Sequence, residues 1–257
     1  MTTTAEVVSY LDALLETTAV PDFDNALNGL QLENNGTVTK VAASVDFSSR
    51  AVSGAIEAKA DLLLLHHGMF WPGLKPITGV VYTRLQALIA NNVAVYSSHL
   101  PLDRHPIYGN NVLLSKQLGL DPSGEFAWYK GKTIGVTGES DVATADLVER
   151  AGQFARRHGG NVITTGYSAE RRTRRWATCT GAGASTETLE EVAALGVDTL
   201  IVGEGPHHTA VDARETGLVI IYAGHYATET VGVAALAEHV GQKFDMAWTL
   251  IDAPTGL

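Results

Sequence analysis

The chain reads as an α/β protein of two similar α/β lobes made by internal duplication, with a metal site expected in the cleft between them. Three observations predict this class. Apolar runs ending in glycine or histidine alternate with segments of helical periodicity, the pattern of strands and helices taken in turn. Asp61-Leu62-Leu63-Leu64-Leu65-His66-His67-Gly68 is matched by Asp198-Thr199-Leu200-Ile201-Val202-Gly203-Glu204-Gly205 in its first residue, its apolar run and its last glycine. Val93 to His99 is matched in the same way by Val219 to His225, with Tyr96 opposite Tyr222 and His99 opposite His225, so a βαβαβ unit occurs twice.

In chain order, an amphipathic helix from about Ala5 to Thr17 leads into the loop Asn28-Gly29-Leu30-Gln31 and then a first repeat near Val38 to Leu120. That repeat opens with a strand, Val41 to Val45, followed by a helix. Asp121-Pro122-Ser123-Gly124 marks a boundary. Between Trp128 and Arg172, a strand at Thr133 to Val136, a helix at Thr144 to Arg157 and a strand at Asn161 to Thr165 are expected to extend or cover a sheet. The second repeat, about Arg174 to Asp252, opens with a strand at Trp176 to Cys179. The expected division is therefore 1–127 for the N-terminal helix and first lobe, 128–172 for the intervening segment, and 173–257 for the second lobe.

The histidine pair His66-His67 ends a buried strand at Gly68, where the pleat stops and both rings can converge. Open α/β sheets carry their sites outside the carboxyl ends of the strands, where this pair falls. Two other strands also end in potential metal ligands. Asp103 follows Val93 to Tyr96, and His225 and Glu229 follow Leu218 to Tyr222. A helix starting near His225 puts it and Glu229 on one face of the first turn. His66, His67, Asp103, His225 and Glu229 are too many donors for one tetrahedral zinc and suit two metals sharing a carboxylate. Two divalent ions carry more charge than two carboxylates cancel, so an anion is required, and an acidified bridging water is the nucleophile of two-metal hydrolases.

His66-His67-Gly68, Ser98-His99-Leu100-Pro101-Leu102-Asp103 and Gly224-His225-Tyr226-Ala227-Thr228-Glu229, in this order, resemble the dinuclear-metal family named GTP cyclohydrolase 1 type 2 homologue. Asn28-Gly29-Leu30-Gln31, Cys179-Thr180-Gly181-Ala182-Gly183 and Gly203-Glu204 with His208 agree with it, and the match spans nearly the whole chain. The resemblance implies two α/β lobes facing each other across a two-metal site, a toroidal homohexamer, the same five ligands with Glu229 bridging, and hydrolytic opening of a GTP purine ring. The segment Arg104 to Asn110 departs from the small residues expected after Asp103.

The function expected is that of a metal-dependent hydrolase acting on a nucleotide-like substrate. The alternatives are a two-metal phosphoesterase and a non-catalytic metal- or metabolite-binding hexameric scaffold or regulatory protein. His99 and His208 are the candidate catalytic residues, as supports or proton-transfer groups, with Glu204 at the rim. Met69, Phe70 and Trp71 are read as a pocket wall or a subunit contact. Mixed imidazole and carboxylate donors suit zinc, iron, manganese or nickel.

A formal charge of −10 argues against nucleic acid or an anionic membrane as partner, while a small anionic substrate fits the metal surplus. The basic cluster Arg171, Arg172, Arg174 and Arg175 reads as a solvated hairpin end more readily than as a phosphate grip. One cysteine, Cys179, excludes an intrachain disulfide and reads as a small buried residue near a strand end. With no secretory leader pattern and no apolar run near the roughly 20 residues that span a bilayer, a cytoplasmic protein is expected.

Overall fold

Alternation of short apolar strands with helices builds two large sheets, each the centre of its own compact unit, beside a two-stranded antiparallel pairing of Thr2–Thr3 with Thr37–Val38. The computed structural model describes residues 2–257. One unit holds the chain up to Leu102 together with Gly232–Ala253, and the other holds Asp103–Val231 and Pro254–Leu257.

The first unit contains β1 (Thr2–Thr3), α1 (Thr4–Leu14), β2 (Gly29–Leu32), β3 (Thr37–Val38), β4 (Lys40–Asp46), α2 (Ser49–Glu57), β5 (Leu62–His67), α3 (Gly79–Ala90) and β6 (Ala94–Ser97), and ends in the turn α4 (Leu100–Asp103). Thr3 and Glu6 form a reciprocal capping box that starts α1, and the Ser48 hydroxyl caps α2 through the Ala51 amide.

The second unit holds α5 (Asn110–Gln117), β7 (Gly124–Tyr129), β8 (Lys132–Ala143), α6 (Thr144–Arg157), β9 (Ile163–Thr164), β10 (Arg172–Cys179), α7 (Thr186–Ala194), β11 (Thr199–Val202), α8 (His207–Thr216) and β12 (Val219–Tyr222). The chain then returns to the first unit along α9 (His225–Phe244) and ends its sheet with β13 (Ala247–Leu250).

The five-stranded sheet of the first unit runs β13-β4-β5-β6-β2, parallel except for the β2 edge. Its strands read as unbroken apolar runs because helices cover them. Ala42, Leu63, Leu65 and Val95 pack with Val52, Ala55 and Leu88 in one buried cluster. The six-stranded sheet of the second unit runs β7-β8-β10-β11-β12-β9, with β10, β11 and β12 parallel and the remaining strands antiparallel. Its core gathers Trp176, Ile201 and Ile221 against Leu147, Phe154 and Leu114.

The expected division into 1–127, 128–172 and 173–257 differs from this arrangement for two reasons. The segment 128–172 extends a sheet as expected, but with β8 paired along β10 it lies in the same unit as the second repeat, a unit that already begins at Asp103. The C-terminal β13 hydrogen-bonds β4, so it belongs to the first unit although it follows the second repeat.

Both repeats survive as architecture. β4-β5-β6 and β10-β11-β12 are parallel triplets in the same order, and Asp61 and Asp198 do the same work in each. Asp61 Oδ2 accepts from the Thr39 and Lys40 amides, as Asp198 Oδ2 accepts from the Arg174 and Arg175 amides. The matching of Tyr96 with Tyr222 is shifted by one residue. With Asp61 set on Asp198, the ladders place Tyr96 opposite Leu64 but Tyr222 opposite Val202, the counterpart of Leu65. Successive strand residues face opposite sides, so the two tyrosines serve different neighbours. Tyr96 binds Asp12 and Thr17, and Tyr222 binds Thr209.

Candidate metal centre

Parallel strands present their carboxyl ends together, and in the first unit β5 ends there with His66 and His67, 0% and 5% exposed. β6 stops at Ser97, and His99 follows at the start of α4, itself 7% exposed. The His66 and His67 ring centres are 4.7 Å apart, and that of His99 is 4.9 Å from His66 and 5.5 Å from His67. A ring nitrogen from each lies within 4.8 Å of the other two, so this cluster can hold a metal ion.

Hydrogen bonds decide which nitrogen is offered. His66 Nδ1 is 2.9 Å from the Ser98 carbonyl oxygen, which can only accept, so Nδ1 carries the proton and Nε2 the lone pair. His67 Nδ1 donates to Asp46 Oδ1 at 2.9 Å, and His99 Nδ1 to Asp22 Oδ1 at 2.8 Å. Burial works against the Asp22 carboxylate. The His99 bond and charge, with Asn28 and the Phe23 amide, nevertheless hold its pKa below the ordinary value.

The loop Asn28-Gly29-Leu30-Gln31 turns out to brace these histidines. Asn28 donates to Asp22 at 2.8 Å and accepts the His99 amide at 2.8 Å. Gln31 accepts the Met69 amide at 2.7 Å while donating to the Leu27 carbonyl. Gly68 makes room for that contact, because a Cβ there would lie 2.7 Å from Gln31 Cδ and displace the Gln31 amide from the Met69 amide. Trp71 supplies the expected wall, its ring centred 4.5 Å from His67 and 4.6 Å from His99, and Phe23 joins it at 5.8 Å from His99.

In the second unit, Asp103 is 5% exposed, and its Oδ1 accepts from Asn110 Nδ2 at 2.8 Å and Thr180 Oγ1 at 3.4 Å. Asn111 ties the same turn to Thr180, accepting the Thr180 amide at 2.8 Å and donating to the Asp103 carbonyl at 3.2 Å. The departure at Arg104 to Asn110 thus has a structural purpose. Its last two residues are Gly109, whose Cβ would meet the Asp103 carbonyl oxygen at 2.6 Å, and Asn110, which with Asn111 holds Asp103.

α9 begins at His225 as expected, and His225 Nε2 lies 3.2 Å from Glu229 Oε2, one turn on. Glu229 is 2% exposed. His225 Nδ1 donates to Glu204 Oε1 at 2.8 Å, the same arrangement as in the first unit. Burial lowers the His225 pKa, but the bond to Glu229 and its charge, followed by those of Glu204, outweigh burial and raise it to about 9. Gly181 leaves room for the carboxylate, since a Cβ there would run into Glu229 Oε1.

His208 is placed apart from these groups, exposed at the start of α8 with Nε2 3.3 Å from Thr186 Oγ1. Cys179, the last residue of β10, is half-buried where a buried residue was expected, and desolvation, reinforced by the charges of Asp103 and Glu229, pushes its thiol up to about 12. Three of the four clustered arginines are tied down. Arg172 pairs with Asp141, Arg175 with Glu139, and Arg171 donates to the Asp198 and Gly217 carbonyls. Sequence reasoning missed Asp22 and Asp46 altogether. Asp46 carried a signal, for it ends β4 beside His67 as His67 ends β5.

Residues 2–254 match the family model described as Duf34/NIF3 (NGG1p interacting factor 3). The chain is 37% identical to a Deinococcus radiodurans protein named GTP cyclohydrolase 1 type 2 homolog, over 98% of this chain and 94% of that one. An Escherichia coli K12 protein of the same name is 36% identical over 97% of each. Among solved structures, protein ybgI, described as of unknown function, matches with a TM-score of 0.88 and 34% identity, over 99% of this chain and 100% of that one. TTHA1606 from Thermus thermophilus matches with a TM-score of 0.80 and 35% identity, over 98% of this chain and 99% of that one. No helix among the described residues is long and apolar enough to cross a membrane.

Proposed function

Because this chain belongs to the Duf34/NIF3 family, whose named relatives are GTP cyclohydrolase 1 type 2 homologs, we propose that it is a dinuclear metal-dependent hydrolase acting on a nucleotide-like substrate. The observation that carries this reading is the donor set itself. His66 and His67 are buried imidazoles whose Nδ1 is committed to a carbonyl or a carboxylate, which offers Nε2 in the form a divalent metal takes. His66, His67, Asp103, His225 and Glu229 would be the ligands, with Glu229 shared.

Metals held there would supply Lewis acidity and water activated near neutral pH. The remaining work falls to the chain. His99, held by Asp22 beside His66 and His67, is placed to hold or pass a proton through Nε2, whereas His208 faces Thr186 on the surface. Trp71 and Phe23 exclude water from one side. Placement of His99 favours the enzyme over the scaffold reading. Assembly as a homohexamer belongs to the same proposal.

Elemental analysis of protein purified without chelator or metal-binding tag tests it, on wild type and on a His66→Ala, His67→Ala double variant. About two metals per chain, lost in the variant, are expected. No metal in the wild type, even after reconstitution with several divalent ions, would overturn the proposal.

A further inference from the structure

His66, His67 and His225, and His99 beside them, each have Nδ1 held, and in three cases of four the holder is a carboxylate that no motif announced as such. Asp22 comes from the loop after α1, Asp46 from the end of β4 and Glu204 from the turn after β11. They meet His99, His67 and His225 at 2.8, 2.9 and 2.8 Å. We propose that Asp22, Asp46 and Glu204 are positioning residues for these imidazoles, and that their charge directs the centre toward an uncharged electrophile and away from phosphate esters.

A neutral imidazole without an acceptor at Nδ1 divides its proton between two nitrogens, and only the form protonated at Nδ1 presents a lone pair at Nε2. Asp22 is built to fix that form. Its oxygens collect the Phe23 and Leu100 amides and the Asn28 side chain, which leaves the carboxylate fixed and aimed at His99.

The charge of these carboxylates acts as well, an inference that rests on the dinuclear reading above. Two divalent ions facing only Asp103 and Glu229 would keep a surplus of positive charge and draw an anion. Three further carboxylates, each bonded to a candidate metal-site ring, cancel that surplus and exceed it by one unit. Asp46 and Glu204, 36% and 47% exposed at the side chain, are screened in part, while Asp22 at 7% is not. A phosphate ester would add negative charge to a centre whose positive surplus is already cancelled and exceeded, whereas a ring carbon or amide carbonyl adds none.

Two arms test the proposal. In the first, nitrogen NMR of the imidazoles in metal-free protein reads the tautomer, and zinc affinity is measured by competition with a chromophoric chelator. Wild type is expected to show His66 and His67 protonated at Nδ1. In Asp46→Ala the His67 signal should become mixed while His66, on its main-chain carbonyl, stays unchanged. Zinc should bind roughly 10–100-fold more weakly in Asp46→Ala and in Glu204→Ala, with Asp46→Asn restoring most of the loss because its amide oxygen still accepts. An unchanged His67 tautomer, or unchanged zinc affinity in both alanine variants, would overturn the positioning role.

In the second arm, inorganic phosphate binding to zinc-loaded protein is compared with that of an Asp46→Asn, Glu204→Gln double variant. Binding tightened roughly tenfold in the variant supports the charge argument. Equal binding, or rapid phosphomonoester hydrolysis by wild type, refutes it. If wild type took up no zinc, the dinuclear reading would fail and the charge argument with it, while the metal-free tautomers would still decide the positioning role.

Discussion

Gly181 offers a measurement that separates backbone strain from displacement of a ligand. Its φ is +61°, and a Cβ built there lies 3.1 Å from Glu229 Cδ, with Oε1 closer still. Carbon atoms in good contact sit about 3.5–4.0 Å apart, so Gly181→Ala must drive the Glu229 carboxyl back by about 0.5 Å or more. Metal sites hold their distances to about 0.2 Å, so if Glu229 is the shared ligand proposed above, a shift of that size takes it out of coordinating range. The left-handed conformation itself costs a side chain on the order of 1–2 kcal/mol. At about 2–4 °C per kcal/mol for a chain near this size, strain alone lowers Tm by roughly 2–8 °C.

Gly217 provides the control. It has φ +74° at the left-handed cap of α8, and nothing lies within 4 Å of its virtual Cβ. Gly217→Ala should therefore show the thermal loss with wild-type metal content, and Gly181→Ala should show both the thermal loss and loss of metal. Thermal melting and elemental analysis on the two variants side by side decide it. Wild-type metal in Gly181→Ala, with a Tm no lower than that of Gly217→Ala, would refute the reasoning.

Other expectations follow from the same site. Glu229→Gln should lower occupancy of both metals, because a neutral amide bridges cations poorly, and two metals retained would sink the shared-ligand assignment. His99→Ala should keep metal content while lowering turnover of any substrate found, and metal lost there would make His99 a ligand instead. With its thiol pushed up to about 12, Cys179 should react slowly with iodoacetamide in native metal-free protein at neutral pH, and faster as pH rises toward that value. Prompt alkylation of the folded protein near neutral pH would contradict the burial that raises this thiol.

Legibility tracked how local the determinants are. α6 covers Thr144–Arg157 as read from its periodicity, and β5, β6 and β12 end at the expected residues or within one of them. β8 runs to Ala143 where the pattern stops at Val136, because Gly138, a poor strand former, gains a partner in the ladder to β10, and the strand passes Ser140 and Asp141 through a register shift where the Ser140 hydroxyl donates to the Thr173 carbonyl. β7 was invisible for a similar reason. It starts at Gly124 inside a turn signal, and it carries Ala127 at φ +62°. The candidate ligands were legible because strand ends mark them. Asp22 was not, since it lies between Pro21 and Phe23 in a loop and gains its role only when Asn28 and His99 fold onto it.

The duplication also explains why one repeated unit yields two unlike half-sites. Setting Asp61 on Asp198 places His66 and His67 on Gly203 and Glu204, at the ends of β5 and β11. In the first unit that position presents an imidazole braced by Asp46 from the neighbouring strand. In the second it carries the brace itself, the Glu204 carboxylate that accepts from His225. The ladder gives the reason for the exchange. Ser98 and Ala223 both donate to the strand beside them, to Leu65 and Val202, so His99 falls level with Gly224 and His225 comes one residue later, at the head of α9. Donor and brace have traded places between the repeats, and the one-residue offset puts His225 and Glu229 on the same helical turn, where they can act together.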